Sequence, residues 1–483
     1  MTRKLYGPFN RVEGDLEVEV EITEGKISKA WVNSPLYRGF EQIMQGKSPL
    51  DTLVYVPRIC GICSVSQSIA CAEALADAQG IQAEINGQLA SNIILACENL
   101  ADHLTHFYLF FMPDFARKAY QDQPWYPDVE LRFRAQTGTA ATTMLRARAE
   151  FIHITGILAG KWPHSLSIQP GGTTTTASAS DKVKLLAILM GFRQFLETQL
   201  FDDSLENICE LENEDALRAW AEQHSKADFA QFLHLSDSLE LHDLGKIDPN
   251  FMSYGAYRQN NDFLFPKGRW TNEAAGLLQL DSQLIREDLS HSWMLEQQAP
   301  AHPLQGVTIP DAEQAEGYSW CKAPRYDGSV IEVGALARQT ISQHPLLLDL
   351  VSKNQSNVTN RIVARLLELA RVLPEMENWC RQLQPNNPFC HQSPMPTSAE
   401  GQGMVEAARG SLGHWIRIEQ GKISNYQIIA PTTWNFSPRD KDNIAGALEQ
   451  ALLGTAVGEG GNQAIAIQHI VRSFDPCMVC TVH

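Results

Sequence analysis

The sequence predicts an α+β fold, predominantly α, with a central bundle of long helices and small β-hairpin elements near both termini. Through the middle of the chain, long stretches repeat apolar residues every three or four positions, as a helix with one buried face requires. Near either end, short stretches alternate apolar with polar residues, as half-buried strands do. The length of 483 residues is enough to enclose a large core.

In chain order, Leu16, Val18, Val20 and Ile22 alternate with Glu17, Glu19 and Glu21 before a turn at Glu24-Gly25-Lys26, which predicts a hairpin over 15–32. Helical periodicity then covers Ser66 to Gln79, Leu89 to Phe111, Ala140 to Leu158, Ser180 to Leu211 and Leu346 to Leu383. The run Gln384-Pro385-Asn386-Asn387-Pro388 is a break. Beyond it, Trp415, Ile416 and Ile418 lead through Gln420-Gly421-Lys422 to Ile423, Tyr426, Ile428 and Ile429, a second hairpin. The chain thus divides into an N-terminal hairpin segment (1–60), a helical bundle (61–383) and a C-terminal β/loop segment (384–483), expected to form one compact unit.

An apolar content of 44% with 20% charged residues describes a soluble globular protein. The formal charge of -17 offers no basic field, which argues against nucleic acid or an anionic membrane as partner. No apolar run approaches the roughly 18 residues of a spanning helix. No apolar core follows the basic residues of 1–14, so a cytoplasmic location is expected.

The 10 cysteines are too sparse for a disulfide scaffold, and Cys71 and Cys97 read as buried small hydrophobes. Two close pairs differ: Cys60-Gly61-Ile62-Cys63, and Cys477-Met478-Val479-Cys480. A two-residue spacing lets both sulfurs of a pair face one ion, and four thiolates suit nickel, iron or zinc. Structural zinc and a thioredoxin-like redox motif are the plainer alternatives. Zinc ribbons space their pairs roughly 15 to 20 residues apart, however, and the redox motif expects a βαβ context. Here most of the chain lies between the pairs, so a whole fold would be the clamp.

Arg58-x-Cys60-Gly61-x-Cys63 and Asp475-Pro476-Cys477-x-x-Cys480-x-x-His483 resemble the two signature motifs of nickel-iron hydrogenase large subunits. Arg11-Val12-Glu13-Gly14, Arg38-Gly39-Phe40-Glu41, His103-x-x-His106, Glu332-Val333-Gly334, Glu406-Ala407-Ala408-Arg409-Gly410 and 426–435 agree, in order along the chain. The resemblance implies that Cys60 and Cys477 are terminal nickel ligands and that Cys63 and Cys480 bridge nickel to an iron carrying carbonyl and cyanide. It further implies that Glu13 relays the proton from the sulfur of Cys477 and that Arg409 sits over the metals as base or stabiliser, with Asp102 and Asp475 as its partners. Pro431 and Thr432 would contact the cyanides. Glu41, the backbone carbonyl of Ile428 and the imidazole of His483 would hold magnesium.

Two departures bear on the role. Gln67 stands where the family usually has a histidine, and glutamine donates a hydrogen bond but carries no proton. Ala408 replaces the usual proline, which is expected to loosen the turn before Arg409. The chain most resembles the regulatory, hydrogen-sensing members, with the catalytic uptake or bidirectional enzymes as the alternative. Sensor members also carry bulky residues where the gas channel meets the site, and Ile62 and Phe110 stand there. Ending at His483 fits either a sensor without the C-terminal extension or a processed enzyme. A separate small subunit would hold the iron-sulfur clusters, because Cys209, Cys321, Cys380 and Cys390 are scattered. For a sensor, a dimer of heterodimers and a signalling histidine kinase are the implied partners, with dihydrogen as substrate.

Overall fold

The computed structural model describes residues 2–259, 262–274, 276–458 and 465–483. It is 45% helical and 19% strand, so the predominance of helix holds. The N-terminal hairpin is β2 (Glu17–Thr23) and β3 (Lys26–Asn33), with an unanticipated strand β1 (Thr2–Tyr6) along its open edge. Leu16, Val18 and Val20 are wholly buried, and Gly25 takes a φ of 77° in the turn.

The helices of the periodic stretches include α1 (Ser64–Gln79), α2 (Ile85–Thr105), α3 (Thr139–Ala159), α4 (Ala179–Phe195), α5 (Pro345–Asn354) and α6 (Val358–Gln382). Periodicity over 346–383 suggested one helix, but Gln355 takes a φ of 61° and Asn357 accepts from Asn360 N, ending α5 and capping α6. Likewise Ser180 to Leu211 is not continuous. After α4 and a wide turn at Leu196–Leu200, Ser204 accepts from Asn207 N and starts a short helix, Leu205–Cys209. Within 61–383, residues 250–326 hold three two-stranded sheets rather than bundle helices. The break at 384–388 is pinned to α2, where Asn86 Nδ2 donates to the Gln384 and Asn387 carbonyls at 2.7 and 3.2 Å.

Near the C-terminus, β4 (Ala399–Ala407), β5 (Gly410–Glu419) and β6 (Lys422–Ile429) form an antiparallel sheet. The expected hairpin is β5–β6, and β4 was not anticipated. Helix α1 lies on β4 without intervening side chains. A Cβ on Gly401 would stand 2.2 Å from the Ala74 carbonyl oxygen, and one on Gly403 would stand 1.9 Å from that of Ala70. Alanines at four-residue spacing on the helix face glycines at two-residue spacing on the strand, so the periods of both elements fit. Gly403→Val would force the two apart. One main hydrophobic cluster includes Val18, Leu100, Leu366 and Ile428, so all three sequence stretches share it. Among the described residues no helix is long and apolar enough to cross a membrane.

Candidate metal centre

Three stretches of chain converge at the cysteines. Cys63 directly precedes α1, whose first amides need acceptors. Glu98 on α2 supplies them: its carboxylate accepts from Val65 N at 2.8 Å, Ser66 N at 2.9 Å and Trp162 Nε1 at 3.1 Å. Cys477 precedes a single helical turn, Met478–Thr481, and its amide donates to Thr432 Oγ1 at 3.1 Å. Glu13 bridges to this second loop: its amide donates to the Pro476 carbonyl at 3.4 Å and its carbonyl accepts from Met478 N at 2.6 Å. Arg38 reaches both cysteine loops, donating to the Ile59 carbonyl at 2.6 Å and to that of Val479.

The four sulfurs are buried and lie within 4.8 Å of one another. Cys63 and Cys480 are 3.0 Å apart, Cys477 and Cys480 3.1 Å, and Cys60 and Cys477 3.5 Å. Four ligands at the roughly 2.3 Å of a metal–thiolate bond would be separated by similar distances, so the donor set fits a soft metal. Burial pushes the Cys480 and Cys477 thiols up, and hydrogen bonding to the other three sulfurs with burial pushes Cys63 up. Hydrogen bonds from Cys477 and Cys480 pull Cys60 down. Burial and mutual proximity oppose ionising all four sulfurs, and positive charge among them would offset that cost.

Arg409 is the cation at this cluster. It follows β4 and is 3% exposed. It donates to Asp102 at 2.5 and 3.3 Å, to Asp475 Oδ1 at 3.1 Å and to the Asp475 carbonyl at 2.9 Å. Burial opposes its charge, but Asp102 and Asp475 outweigh burial and raise its pKa, with Cys477 and Cys63 adding to the effect. Burial lifts Asp102 to about 7, whereas Arg409, His106 and Arg365 overcome burial and hold Asp475 below the usual carboxylate range. At the turn that carries Ala408, Arg338 donates to the Ala407 and Ala408 carbonyls, both at 3.1 Å, and is itself held by Glu368 and Glu406.

Glu13 is half-buried, and burial followed by the charge of Cys60 raises its pKa against the pull of Arg409. Gln67 on α1 places Nε2 4.0 Å from Cys480 Sγ. Thr432, whose oxygen accepts from Cys477 N, keeps its own hydrogen for another acceptor, and Pro431 beside it starts the short helix Pro431–Asn435. Ile62, between the first two cysteines, packs half-buried on the core. Phe110 is half-buried; the wholly buried aromatic is its neighbour Phe111, packed on Phe115 and Phe232.

A second polar cluster surrounds Glu41. Its Oε1 accepts from Ile428 N at 2.8 Å and from Lys322 Nζ at 3.0 Å, and lies 3.1 Å from His483 Nε2. Lys322 also donates to Glu287 and Gln427, both at 3.0 Å. Lys322 and His483 overcome burial and hold Glu41 down at about 2. Two ligands at right angles, each about 2.1 Å from magnesium, stand about 3 Å apart, so Glu41 and His483 are spaced to share one ion. Two carboxylates against one ammonium also leave room for a cation. The group that Ile428 is seen to offer Glu41 is its amide rather than its carbonyl.

The model of the nickel-dependent hydrogenase family matches residues 38–122 and 139–483. The chain belongs to that family. It is 30% identical to the periplasmic [NiFeSe] hydrogenase large subunit of Desulfomicrobium baculatum, over 99% of this chain and 94% of that one. It is 29% identical to the hydrogenase-2 large chain of Escherichia coli, over 99% and 96%. Among solved structures, the reduced, active Ni-Fe-Se hydrogenase of D. baculatum superposes with a TM-score of 0.86 at 27% identity, covering 100% of both chains. The Desulfovibrio vulgaris Hildenborough enzyme superposes at 0.84 and 28%, again over 100% of both. This hydrogenase chain thus supplies a nickel-iron centre from its four clustered cysteines.

Sequence reasoning missed Glu98, Lys322, Arg338 and His414, all buried. Their partners lie far away in the chain: Lys322 and Glu41 are 281 positions apart, and His414 and Gln67 are 347. No local spacing signals such pairs.

Proposed function

We propose that this chain is the large subunit that binds and heterolytically cleaves dihydrogen, and that it serves as a hydrogen sensor rather than a high-turnover enzyme. The observation that carries the first part is the quartet itself: four buried sulfurs within 4.8 Å, beside a guanidinium held in place by two carboxylates. When bound, a nickel-iron pair with carbonyl and cyanide on the iron supplies the Lewis acid that polarises dihydrogen. Cys60, Cys63, Cys477 and Cys480 would hold nickel, with Cys63 and Cys480 also serving iron, and Pro431 and Thr432 would stand beside its cyanides. Arg409, fixed and always charged, stabilises negative charge that develops at the sulfurs.

Proton movement falls to the chain. The Cys477 sulfur accepts first in this reading, and Glu13 takes the proton onward; a carboxyl raised by burial exchanges protons at milder pH than an exposed one. Glu41, Ile428 and His483 would hold magnesium, with Lys322, Glu287 and Gln427 around them. Electrons leave through a partner small subunit carrying iron-sulfur clusters.

Gln67 supports the sensor part. It offers Cys480 a neutral donor, and a glutamine cannot itself carry a proton or a charge. Ile62 between the cysteines adds bulk at the approach to the metals, and Phe110 is assigned to the same channel. A signalling kinase and a dimer of heterodimers complete the sensor reading. The catalytic uptake reading draws on the relatives, whose names are those of hydrogenases such as the hydrogenase-2 large chain.

The test is an infrared spectrum and a turnover measurement on the nickel-loaded complex with its small subunit. Carbonyl and cyanide bands with slow dihydrogen-dependent dye reduction support the sensor. Bands with fast turnover favour the uptake enzyme, and a loaded sample without bands overturns the nickel-iron reading.

A further inference from the structure

Behind Gln67 runs a buried hydrogen-bond chain that the functional reading does not use. Gln67 Oε1 lies 2.9 Å from His414 Nε2, and His414 Nδ1 lies 2.9 Å from the Tyr426 hydroxyl. Gln67, His414 and Tyr426 are each 1% exposed or less. Chemistry assigns every hydrogen. The sulfur end needs a donor, so the amide N–H faces Cys480 Sγ and the amide oxygen faces away. That oxygen needs a donor in turn, so His414 carries its hydrogen on Nε2, and its bare Nδ1 accepts from the Tyr426 O–H. The Cys71 thiol also borders the Tyr426 hydroxyl, but it is a weak acceptor, and its own hydrogen goes to Thr52 Oγ1 at 3.1 Å.

The fold brings these groups together. His414 on β5 is the register partner of Gly403 on β4, the residue whose missing side chain lets α1, and with it Gln67, approach the sheet.

We propose that His414 is a positioning residue for the metal centre: its Nε2–H fixes the Gln67 amide with the N–H turned toward Cys480 Sγ, and thereby limits how much charge that sulfur gives to its metals. This rests on the reading of Cys480 as a bridging thiolate. Without the pin, the two faces of the amide are nearly the same shape, and rotation would turn its oxygen toward the sulfur. An unbonded thiolate is a stronger donor, so iron would pass more charge into its carbonyl.

Two substitutions separate orientation from bulk. In His414→Gln, the amide nitrogen takes the place of Nε2 and keeps the donor; in His414→Asn, the shorter amide cannot reach. The nickel-loaded complexes are compared by nickel content, by the carbonyl stretch and by the reduction midpoint of the centre. The expected result is a lower carbonyl wavenumber and a more negative midpoint in His414→Asn, with His414→Gln near the parent. Should His414→Asn fail to load nickel, Tyr426→Phe, which frees Nδ1 and lets the imidazole change tautomer, carries the test with a smaller shift of the same sign. Unshifted bands in a loaded His414→Asn or, in its stead, a loaded Tyr426→Phe overturn the proposal. A loaded parent protein without carbonyl bands overturns the nickel-iron reading, and this proposal with it.

Discussion

Arg409 and Gln67 are both donors held against the cysteine quartet, but the first is held by charges and the second by neutral groups. Around Arg409 stand Asp102 and Asp475, with Arg365 and His106 beyond them. Behind Gln67 stand an imidazole kept neutral and a phenol. A buried charge set is costly to disturb from any side, because removing one member leaves another unpaired in a low dielectric. A neutral set holds an orientation and little more. The structure thus separates where the site gets its field from where it gets its fine alignment.

The sharpest break is at what both sides face. Cys63→Ser or Cys477→Ser removes one of four thiolates, and a hydroxyl is too weakly acidic and too hard to replace it. Nickel content of the purified complex is expected to fall to background, and a variant that keeps full nickel would show that the quartet is not the ligand set.

On the charged side, Asp102→Ala leaves Arg409 with Asp475 alone. Breaking a buried pair costs about 3–5 kcal/mol, so a large drop in the denaturation midpoint is expected together with loss of activity. Tyr426→Phe on the neutral side removes a single hydrogen bond, about 1 kcal/mol. Equal losses in denaturant titrations of the two variants would contradict the division drawn between them.

These contrasts also mark what the sequence could carry. The cysteines, Glu13, Arg409 and Asp475 sit in short contiguous motifs, and the structure brings them together. Helix existence was legible from periodicity, because one face of each helix meets one core. Helix interruptions were not: Gln355 and Asn357 break α5 from α6 within an unbroken apolar pattern, and small polar caps leave little trace in that pattern. The strands at 250–326 are four residues each, too short for alternation to register. Glu98, Lys322 and His414 looked like ordinary polar residues, since their meaning comes from partners brought close only by the fold.

Glu13 lies between the two kinds of environment, half-buried, with its pKa raised by burial and by Cys60 and lowered by Arg409. Glu13→Gln keeps the shape and removes the proton site. A general base of this kind contributes about 10²–10⁴-fold, so hydrogen–deuterium exchange catalysed by the complex should slow by at least about 100-fold with nickel content unchanged. The sign of the pH effect follows from the acceptor role proposed for it. As pH falls through its raised pKa the carboxylate is protonated and the rate drops, on a limb lying above the ordinary value of 4.5. That limb should be absent from the variant, and exchange at the parental rate in Glu13→Gln would remove this residue from the proton path.

Gln67→His converts the neutral side into one that can carry charge, and is the gentlest change of the set. A neutral imidazole at 67 would donate one N–H to Cys480 and accept from His414 Nε2–H; once protonated it donates at both nitrogens, and His414 keeps the chain by carrying its hydrogen on Nδ1 and accepting at Nε2. What changes is that a hydrogen bond from an imidazolium exceeds a neutral one by about 1 kcal/mol, worth about five-fold in rate. Uptake activity of the loaded complex is therefore expected to rise about five-fold, most at pH below the imidazole pKa, where the extra proton is present. A rise that fades as pH increases would tie the modest turnover proposed for the parent to the missing charge. No rise at any pH would count against that link, with Ile62, proposed to add bulk at the gas approach, the next position to reduce.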